Sequence, residues 1–139
     1  MGDEPVVPDV LLDTHVLLWW RSGSGRLLKH QTRLLTELEE SGEPVGIASI
    51  TLWELAKMAE RGRLEVEQPL DLWLREIEQN PLISVYPISA SIALESARLG
   101  AGFHKDPADQ IIVATARCHG LRLITADERI RRWGKVQLG

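Results

Sequence analysis

Acidic residues stand at four places where an apolar, strand-like run gives way to a helical pattern. They are Asp13, Glu54, the pair Asp106 and Asp109, and Asp127. In a parallel α/β sheet the carboxyl ends of the strands form one edge, and sites are built there. Carboxylates gathered at one edge repel each other unless a cation lies among them. The spacing therefore predicts a divalent-metal site, for Mg²⁺ or Mn²⁺.

Two capping-box patterns overlap these acidic motifs. Thr51 and Glu54 fit a capping box, in which Glu54 would reach back to the Thr51 backbone N–H. Thr125 and Glu128 have the same spacing, and Asp127 would then lie in the first turn of its helix. Taken singly, each acid can be read as a cap or as a ligand. A shared site explains all of them together, whereas separate caps would have to meet at one edge by chance.

The remaining acids differ in how well a structural role accounts for them. Asp106 precedes Pro107 and fits an N-cap, and Asp109 would lie in the first turn, where a negative charge suits the helix dipole. Asp13 ends a buried apolar strand with no lysine or arginine beside it in sequence. Such a carboxylate is costly unless something pairs with it, so Asp13 is the strongest single indication of a site.

Length and composition are those of an ordinary globular domain. The chain has 139 residues, of which 44% are hydrophobic and 26% charged. We expect a single domain over residues 10–139, preceded by an N-terminal extension, residues 1–9, without an assigned role. No apolar run is long enough to span a bilayer, the start lacks a signal-peptide pattern, and Cys118 has no partner for a disulfide. These features predict a cytoplasmic protein without a membrane partner.

The net charge of −4 hides an uneven distribution. Residues 117–135 contain six Lys/Arg and only two acids. A second basic stretch contains Arg21, Arg26, Lys29 and Arg33. These residues can be solvated helix faces, or they can contact phosphates beside an acidic metal site.

Strand and helix patterns alternate along the chain. Strands are predicted at residues 9–13, 45–48, 82–88 and 121–125, with a last edge strand at Val136 and Leu138. Helices are predicted between them, at about 14–22, 26–40, 51–61, 69–80, 89–100, 107–120 and 127–133. No internal repeat or linker interrupts this alternation. The expected fold class is a three-layer α/β fold, with a mostly parallel central sheet flanked by helices.

The four acidic motifs resemble those of the PIN domain, a family of metal-dependent ribonucleases. The motifs are Leu11–His15, Ser49–Ala56, His104–Ala116 and Leu123–Asp127, and they occur in the family's order over nearly the whole chain. Within the family, the His-Lys-Asp-Pro-Ala-Asp and Leu-Trp-Trp runs are most similar to prokaryotic toxins of the VapC type. The resemblance implies a PIN-like fold, one acidic pocket, an RNA substrate, homodimerisation and a cognate antitoxin that blocks the pocket.

The resemblance and the charge argument together assign roles to seven residues. The expected catalytic and metal-binding residues are Asp13, Glu54, Asp109 and Asp127, and the expected supporting residues are Thr14, Asp106 and Thr125. Asp13 and Asp109 are expected as direct ligands, while Glu54 and Asp127 would bind a second ion or act through water. Asp109 takes precedence over Asp106, which is then a cap or a supporting acid.

Other functional classes lack their sequence features. An aspartyl phosphatase would need an acid two residues after Asp13, where His15 stands, and no P-loop is present. Two alternatives to a toxin remain open. One is a non-catalytic RNA- or protein-binding module of the same fold, and the other is a solitary RNA-processing nuclease.

Overall fold

Four short strands form one parallel sheet at the centre of the molecule. The computed structural model describes residues 7–64 and 66–139. The strands are β1 (Val10–Leu12), β2 (Val45–Ala48), β3 (Ile83–Tyr86) and β4 (Arg122–Ile124). Their order in the sheet is β3-β2-β1-β4, and every neighbouring pair is parallel. All four strands therefore end at one edge, which is the arrangement that the sequence predicts.

Helices connect the strands in chain order. They are α1 (Thr14–Ser22), α2 (Lys29–Ser41), α3 (Ser49–Glu60), α4 (Leu70–Gln79), α5 (Ala90–Ala97), α6 (Pro107–His119) and α7 (Glu128–Trp133). Within the described ranges, none of them combines the length and the apolar character needed to cross a membrane. The expected α/β fold with flanking helices is confirmed.

The side chains of β1 alternate between two hydrophobic cores, one on each face of the sheet. Val10 and Leu12 pack with Leu35 of α2 in one core. Leu11 packs with Ile112 of α6 in the other. All of these residues are fully buried. Helices thus cover both faces of the central strand, and this explains why β1 is apolar at every position.

The connection from α6 to β4 holds the fourth strand in register. Gly120 ends α6 in the left-handed conformation, with φ of 65°, which glycine adopts without steric cost. The chain then enters β4, where Leu12 pairs with Ile124. This register brings the residues that follow β1 and β4 to the same edge of the sheet.

The ends of the chain differ from the sequence expectation in one respect. The expected edge strand at Val136 and Leu138 is reduced to a single parallel bridge between Leu123 and Leu138, so it adds no strand to the sheet. Residues 1–6 of the expected N-terminal extension lie outside the described residues. Its last residue, Asp9, forms an ion pair with Arg122 at 2.6 Å.

Candidate active site

The ends of β1 and β4 bring Asp13 and Thr125 together. Asp13 follows β1 directly, and its backbone N–H donates to the Ile124 carbonyl at 3.0 Å. Asp13 also serves as the N-cap of α1, where its carboxylate accepts from the Thr14 N–H at 2.8 Å. The extended backbone of an N-cap residue allows one residue both to end the strand and to start the helix.

Asp13 is buried, and the groups that donate to it among the described residues are neutral. Its exposed fraction is 6%. The Thr125 hydroxyl donates to its Oδ2 at 2.7 Å, and the Thr14 N–H donates to Oδ1. Burial raises the pKa of the Asp13 carboxyl, against the lowering effect of these hydrogen bonds. The partners of this buried acid are therefore two neutral donors and not a lysine or arginine.

Glu54 is held by a threonine from a distant part of the chain. The Thr14 hydroxyl donates to Glu54 Oε1 at 2.5 Å and lies 3.0 Å from the Thr51 hydroxyl. Since Thr14 has one hydroxyl proton and donates it to Glu54, Thr51 is the donor in the second contact. Burial, with the nearby charges of Asp13 and Asp109, raises the pKa of Glu54 to about 7, although the Thr14 hydrogen bond lowers it.

The capping-box interpretation of Thr51 and Glu54 is wrong. Helix α3 begins at Ser49, two residues earlier than expected, and Ala48 is its N-cap. Thr51 therefore lies inside the first turn, where its hydroxyl meets Thr14, while Glu54 points to Thr14 and not back to the Thr51 backbone.

Asp109 lies in the first turn of α6, between a cap and a histidine. Asp106 caps the helix by accepting from the Asp109 N–H at 3.1 Å, as expected from its place before Pro107. The Asp109 carboxylate lies 2.7 Å from His104 Nε2, and its side chain is 14% exposed. Burial and the charge of Asp13 raise the pKa of Asp109 to about 6, against the hydrogen bond from His104.

Asp127 differs from the other acids because an arginine neutralises it. It is the N-cap of α7, and both of its carboxylate oxygens accept from Arg129, the closer guanidinium contact being 3.0 Å. Partial burial would raise the pKa of Asp127, but the hydrogen bonds and charge of Arg129 hold it below its ordinary value. Arg129 also lies 3.9 Å from an Asp109 oxygen.

The capping-box interpretation of Thr125 and Glu128 is also wrong. Asp127 itself caps α7, and the Thr125 hydroxyl instead joins two acids. It donates to Asp13 Oδ2 and accepts from the Asp127 backbone N–H at 3.0 Å. Thr125 is fully buried behind the carboxylates, so its hydroxyl fixes the relative position of Asp13 and Asp127.

An open pocket of about 320 Å³ contains all four predicted acids. Its lining residues are Asp13, Thr14, His15, Trp19, Glu54, Asp106, Asp109, Ala126, Asp127 and Arg129. Five carboxylates thus face one guanidinium. Two larger clefts beside Trp73, of about 440 and 620 Å³, contain none of these acids.

The donor chemistry of this pocket suits a divalent cation. Carboxylate oxygens are the ligands that Mg²⁺ and Mn²⁺ prefer. One ligand atom each from His104, Asp109 and Asp127 lie within 4.8 Å of one another, close enough to share an ion. The raised pKa values of Asp13, Glu54 and Asp109 have burial as their largest cause, and a cation would also relieve the repulsion between these acids.

Three residues near the site were not expected to act there from sequence. His104 contacts Asp109, Arg129 contacts Asp127, and Gln31 donates to the Thr125 carbonyl at 3.0 Å although its exposed fraction is 0%. Gln31 lies on the apolar face of α2. A polar residue at such a position is the sequence signal that could have identified it. Arg129 stands two residues after an acid, which is a common and uninformative spacing.

The chain is similar to known proteins over most of its length. The PIN domain family matches residues 10–136. The chain is 35% identical over 122 residues to Ribonuclease VapC22 of Mycobacterium tuberculosis, covering 88% of this chain and 89% of that protein. A chain of a toxin–antitoxin complex from Klebsiella pneumoniae is 28% identical, with a TM-score of 0.54 and coverage of 85% and 86%.

A more distant structure supports the fold alone. A chain of VapBC2 from Rickettsia felis, solved with a DNA fragment from its promoter, has a TM-score of 0.69 at 16% identity. The match covers 94% of this chain and 96% of that one. With the family match spanning nearly the whole chain and a relative above 30% identity, this chain belongs to the PIN domain family.

Proposed function

We propose that this protein is a metal-dependent endoribonuclease and the toxin of a toxin–antitoxin pair. The observation that carries the proposal is the pocket itself, in which four acids from separate parts of the chain meet at the strand ends. Three of them have a pKa raised by burial, which is an unfavourable arrangement for a protein that does not bind a cation. The likeness to Ribonuclease VapC22 supports RNA as the substrate.

The proposed cofactor is Mg²⁺ or Mn²⁺. Asp13 and Asp109 are the proposed direct ligands, and Glu54 and Asp127 bind a second ion or act through water. When bound, the metal would activate water for attack on the phosphodiester and stabilise the charge of the leaving oxygen. Asp127 shares its charge with Arg129, so it contributes less negative charge to the ion than Asp13 does.

The remaining residues of the pocket orient these acids. Thr14 donates to Glu54 Oε1, and among the described residues no group donates to Oε2. We assign Glu54 Oε2 to orienting the attacking water. Thr125 fixes Asp13 against Asp127, and Asp106 caps α6 so that Asp109 faces the pocket. His104 holds Asp109 from the other side.

The proposed partners are an RNA substrate, a cognate antitoxin and a second copy of the chain. The antitoxin is proposed because the Klebsiella pneumoniae relative was solved as a toxin–antitoxin complex. We place the protein in the cytoplasm, where RNA and a co-expressed antitoxin are available. A solitary nuclease would share the pocket but would have no antitoxin gene beside its own.

The purified protein should cleave RNA when Mg²⁺ or Mn²⁺ is present and stop when EDTA is added. A gel assay on total RNA and on synthetic RNAs would show it, with Asp13→Asn as the control for a contaminating nuclease. Equal cleavage with and without EDTA, or equal cleavage by Asp13→Asn, would rule out the proposed metal site.

A further inference from the structure

A second pocket of about 270 Å³ adjoins the acidic pocket. Three residues, His15, Glu54 and Asp106, line both. The other residues of the second pocket are Trp53, Lys57, Met58, Arg61 and Arg63. The two pockets therefore share a wall, and a chain lying across that wall would contact both.

The sign of the charge reverses across the shared wall. The acidic pocket has five carboxylates, while the second pocket adds three cations, Lys57, Arg61 and Arg63. Lys57 pairs with Glu60 at 3.1 Å. Over residues 7–64 and 66–139, no carboxylate lies within ion-pair distance of Arg61 or Arg63. Within that part of the chain, both guanidinium groups are exposed and form no ion pair.

An exposed tryptophan completes the second pocket. Trp53 precedes Glu54 on α3 and is 53% exposed, whereas tryptophan side chains are highly buried on average. Lys57 Nζ lies 6.0 Å from its ring centre. Trp53 and Lys57 on α3, and Arg61 at its C-cap, recur at four-residue spacing, so they follow one side of the helix over ~12 Å.

We infer that this second pocket is the path of the RNA strand that leads to the acidic site, and this inference rests on the proposed nuclease function. An acidic pocket repels phosphates, so an RNA needs cations close by to reach it. Arg61 and Arg63 bind phosphates of the strand, and Trp53 stacks on an unpaired base. A stacked base must be out of a duplex, so this path requires an unpaired stretch of the RNA beside the acidic site.

The charge of the pocket favours RNA over a protein occupant. Two arginines beside an open aromatic face are what single-stranded nucleic acid requires, because every phosphate is an anion and every base has a flat face. An antitoxin or a second copy of this chain would also cover Trp53. RNA affinity and oligomeric state, measured on the same variants, distinguish these occupants from RNA.

The test measures RNA binding without cleavage, in the full chain with Asp13→Asn. The probe is a fluorescein-labelled single-stranded RNA of randomised sequence, followed by anisotropy over a range of salt concentrations. Adding Arg61→Ala and Arg63→Ala together should weaken binding roughly tenfold and reduce the salt slope by ~1.4, since each phosphate contact to a single strand contributes about 0.7. The matching Arg→Lys pair should restore the slope.

The control for overall charge is the pair Arg75→Ala and Arg98→Ala. Both arginines are exposed and line neither pocket, so this variant loses the same charge elsewhere. It should leave the salt slope unchanged. An equal loss in both double variants would reduce the effect to net charge and overturn the inference.

Trp53→Ala should weaken binding of the single-stranded RNA at least about fivefold and leave binding of a labelled RNA duplex of the same length unchanged. Trp53→Phe should retain most of the affinity. Light scattering on the same samples reports the oligomeric state. Unchanged RNA affinity, with loss of the dimer or of antitoxin binding, would assign the surface to a protein partner instead.

Failure of this inference can be separated from failure of the proposed function. If the wild-type protein cleaves RNA with Mn²⁺ and the variants at Arg61, Arg63 and Trp53 bind like the controls, the path is wrong and the nuclease stands. If the wild-type protein neither binds nor cleaves RNA, both proposals fail.

Discussion

The two sides of the acidic pocket differ in the groups that contact their carboxylates. One side, which we call the sheet wall, consists of Asp13 and Glu54 with Thr14, Thr51 and Thr125. Here the acids are buried to different degrees, and threonine hydroxyls are their side-chain donors. All three threonines are themselves buried.

The other side, the helix wall, consists of Asp109 and Asp127 with His104 and Arg129. These acids lie in or before the first turns of α6 and α7, and groups that are or can become cationic contact them. Arg129 is 61% exposed, so solvent screens this interaction. The helix wall thus carries part of its own neutralisation, whereas no lysine or arginine among the described residues pairs with the acids of the sheet wall.

The largest expected effect comes from removing one acid of the sheet wall. Asp13→Asn should lower the rate of RNA cleavage by more than the ~100-fold that loss of a supporting partner costs. Asp127→Asn should cost less, because Arg129 already offsets that charge. Single-turnover cleavage rates with Mn²⁺ would measure both, with circular dichroism as the check on folding. Equal losses would show that the two walls are equivalent.

The next prediction compares a neutral donor, Thr125, with the cationic partner Arg129. Thr125→Val leaves a buried oxygen of Asp13 without its donor and should lower the free energy of unfolding by ~1–3 kcal/mol. It should also reduce cleavage roughly 10- to 100-fold. Arg129→Gln, at an exposed position, should leave urea denaturation unchanged. A larger stability loss in Arg129→Gln than in Thr125→Val would reverse the comparison.

In metal-free buffer, stability should fall as the pH rises. The pKa values of Glu54 and Asp109 are about 7 and about 6 in the folded protein, above their ordinary values of 4.5 and 3.8. Between those values the folded state holds protons that the unfolded chain has released. The free energy of unfolding therefore decreases from about pH 4 to about pH 7.

Urea denaturation with EDTA at about pH 5 and about pH 8 would measure this loss, and Mn²⁺ at the higher pH should reverse it. Glu54→Gln should flatten the upper part of the pH dependence. A free energy of unfolding that rises over this pH interval would mean that the pKa values of Glu54 and Asp109 are not raised in the folded protein.

The smallest effect concerns the cap of α6. Asp106→Ala removes the acceptor for the Asp109 N–H and should cost ~1 kcal/mol of stability. Asp106→Ser keeps a capping oxygen and should retain that stability together with most of the activity. If Asp106→Ser abolished Mn²⁺ binding while Asp109→Asn spared it, the assigned roles of the two acids would have to be exchanged.

The sequence was sufficient for the fold and for which acids share the pocket. Apolar strands, Pro107 and Gly120 are local signals, and parallel strands must end at one edge, so the meeting of the acids followed from topology. The two capping boxes were wrong because the deciding contacts are distant in sequence. Thr14 reaches Glu54 across 40 residues, and Thr125 reaches Asp13 across 112. Spacing within one helix carries no information on such partners.

The tryptophans show the same limit. Trp53 is exposed beside three cations, and its place on a helix is equally compatible with a core, a dimer interface or an open surface.

The most direct measurement of the central claim is Mn²⁺ titration calorimetry on the wild-type protein, Asp13→Asn and Asp109→Asn, with Asp106→Ser as the matched control. The pocket account predicts binding by the wild type and by Asp106→Ser, and at least about tenfold weaker binding by the other two. Wild-type affinity for Mn²⁺ in both Asp13→Asn and Asp109→Asn would contradict it.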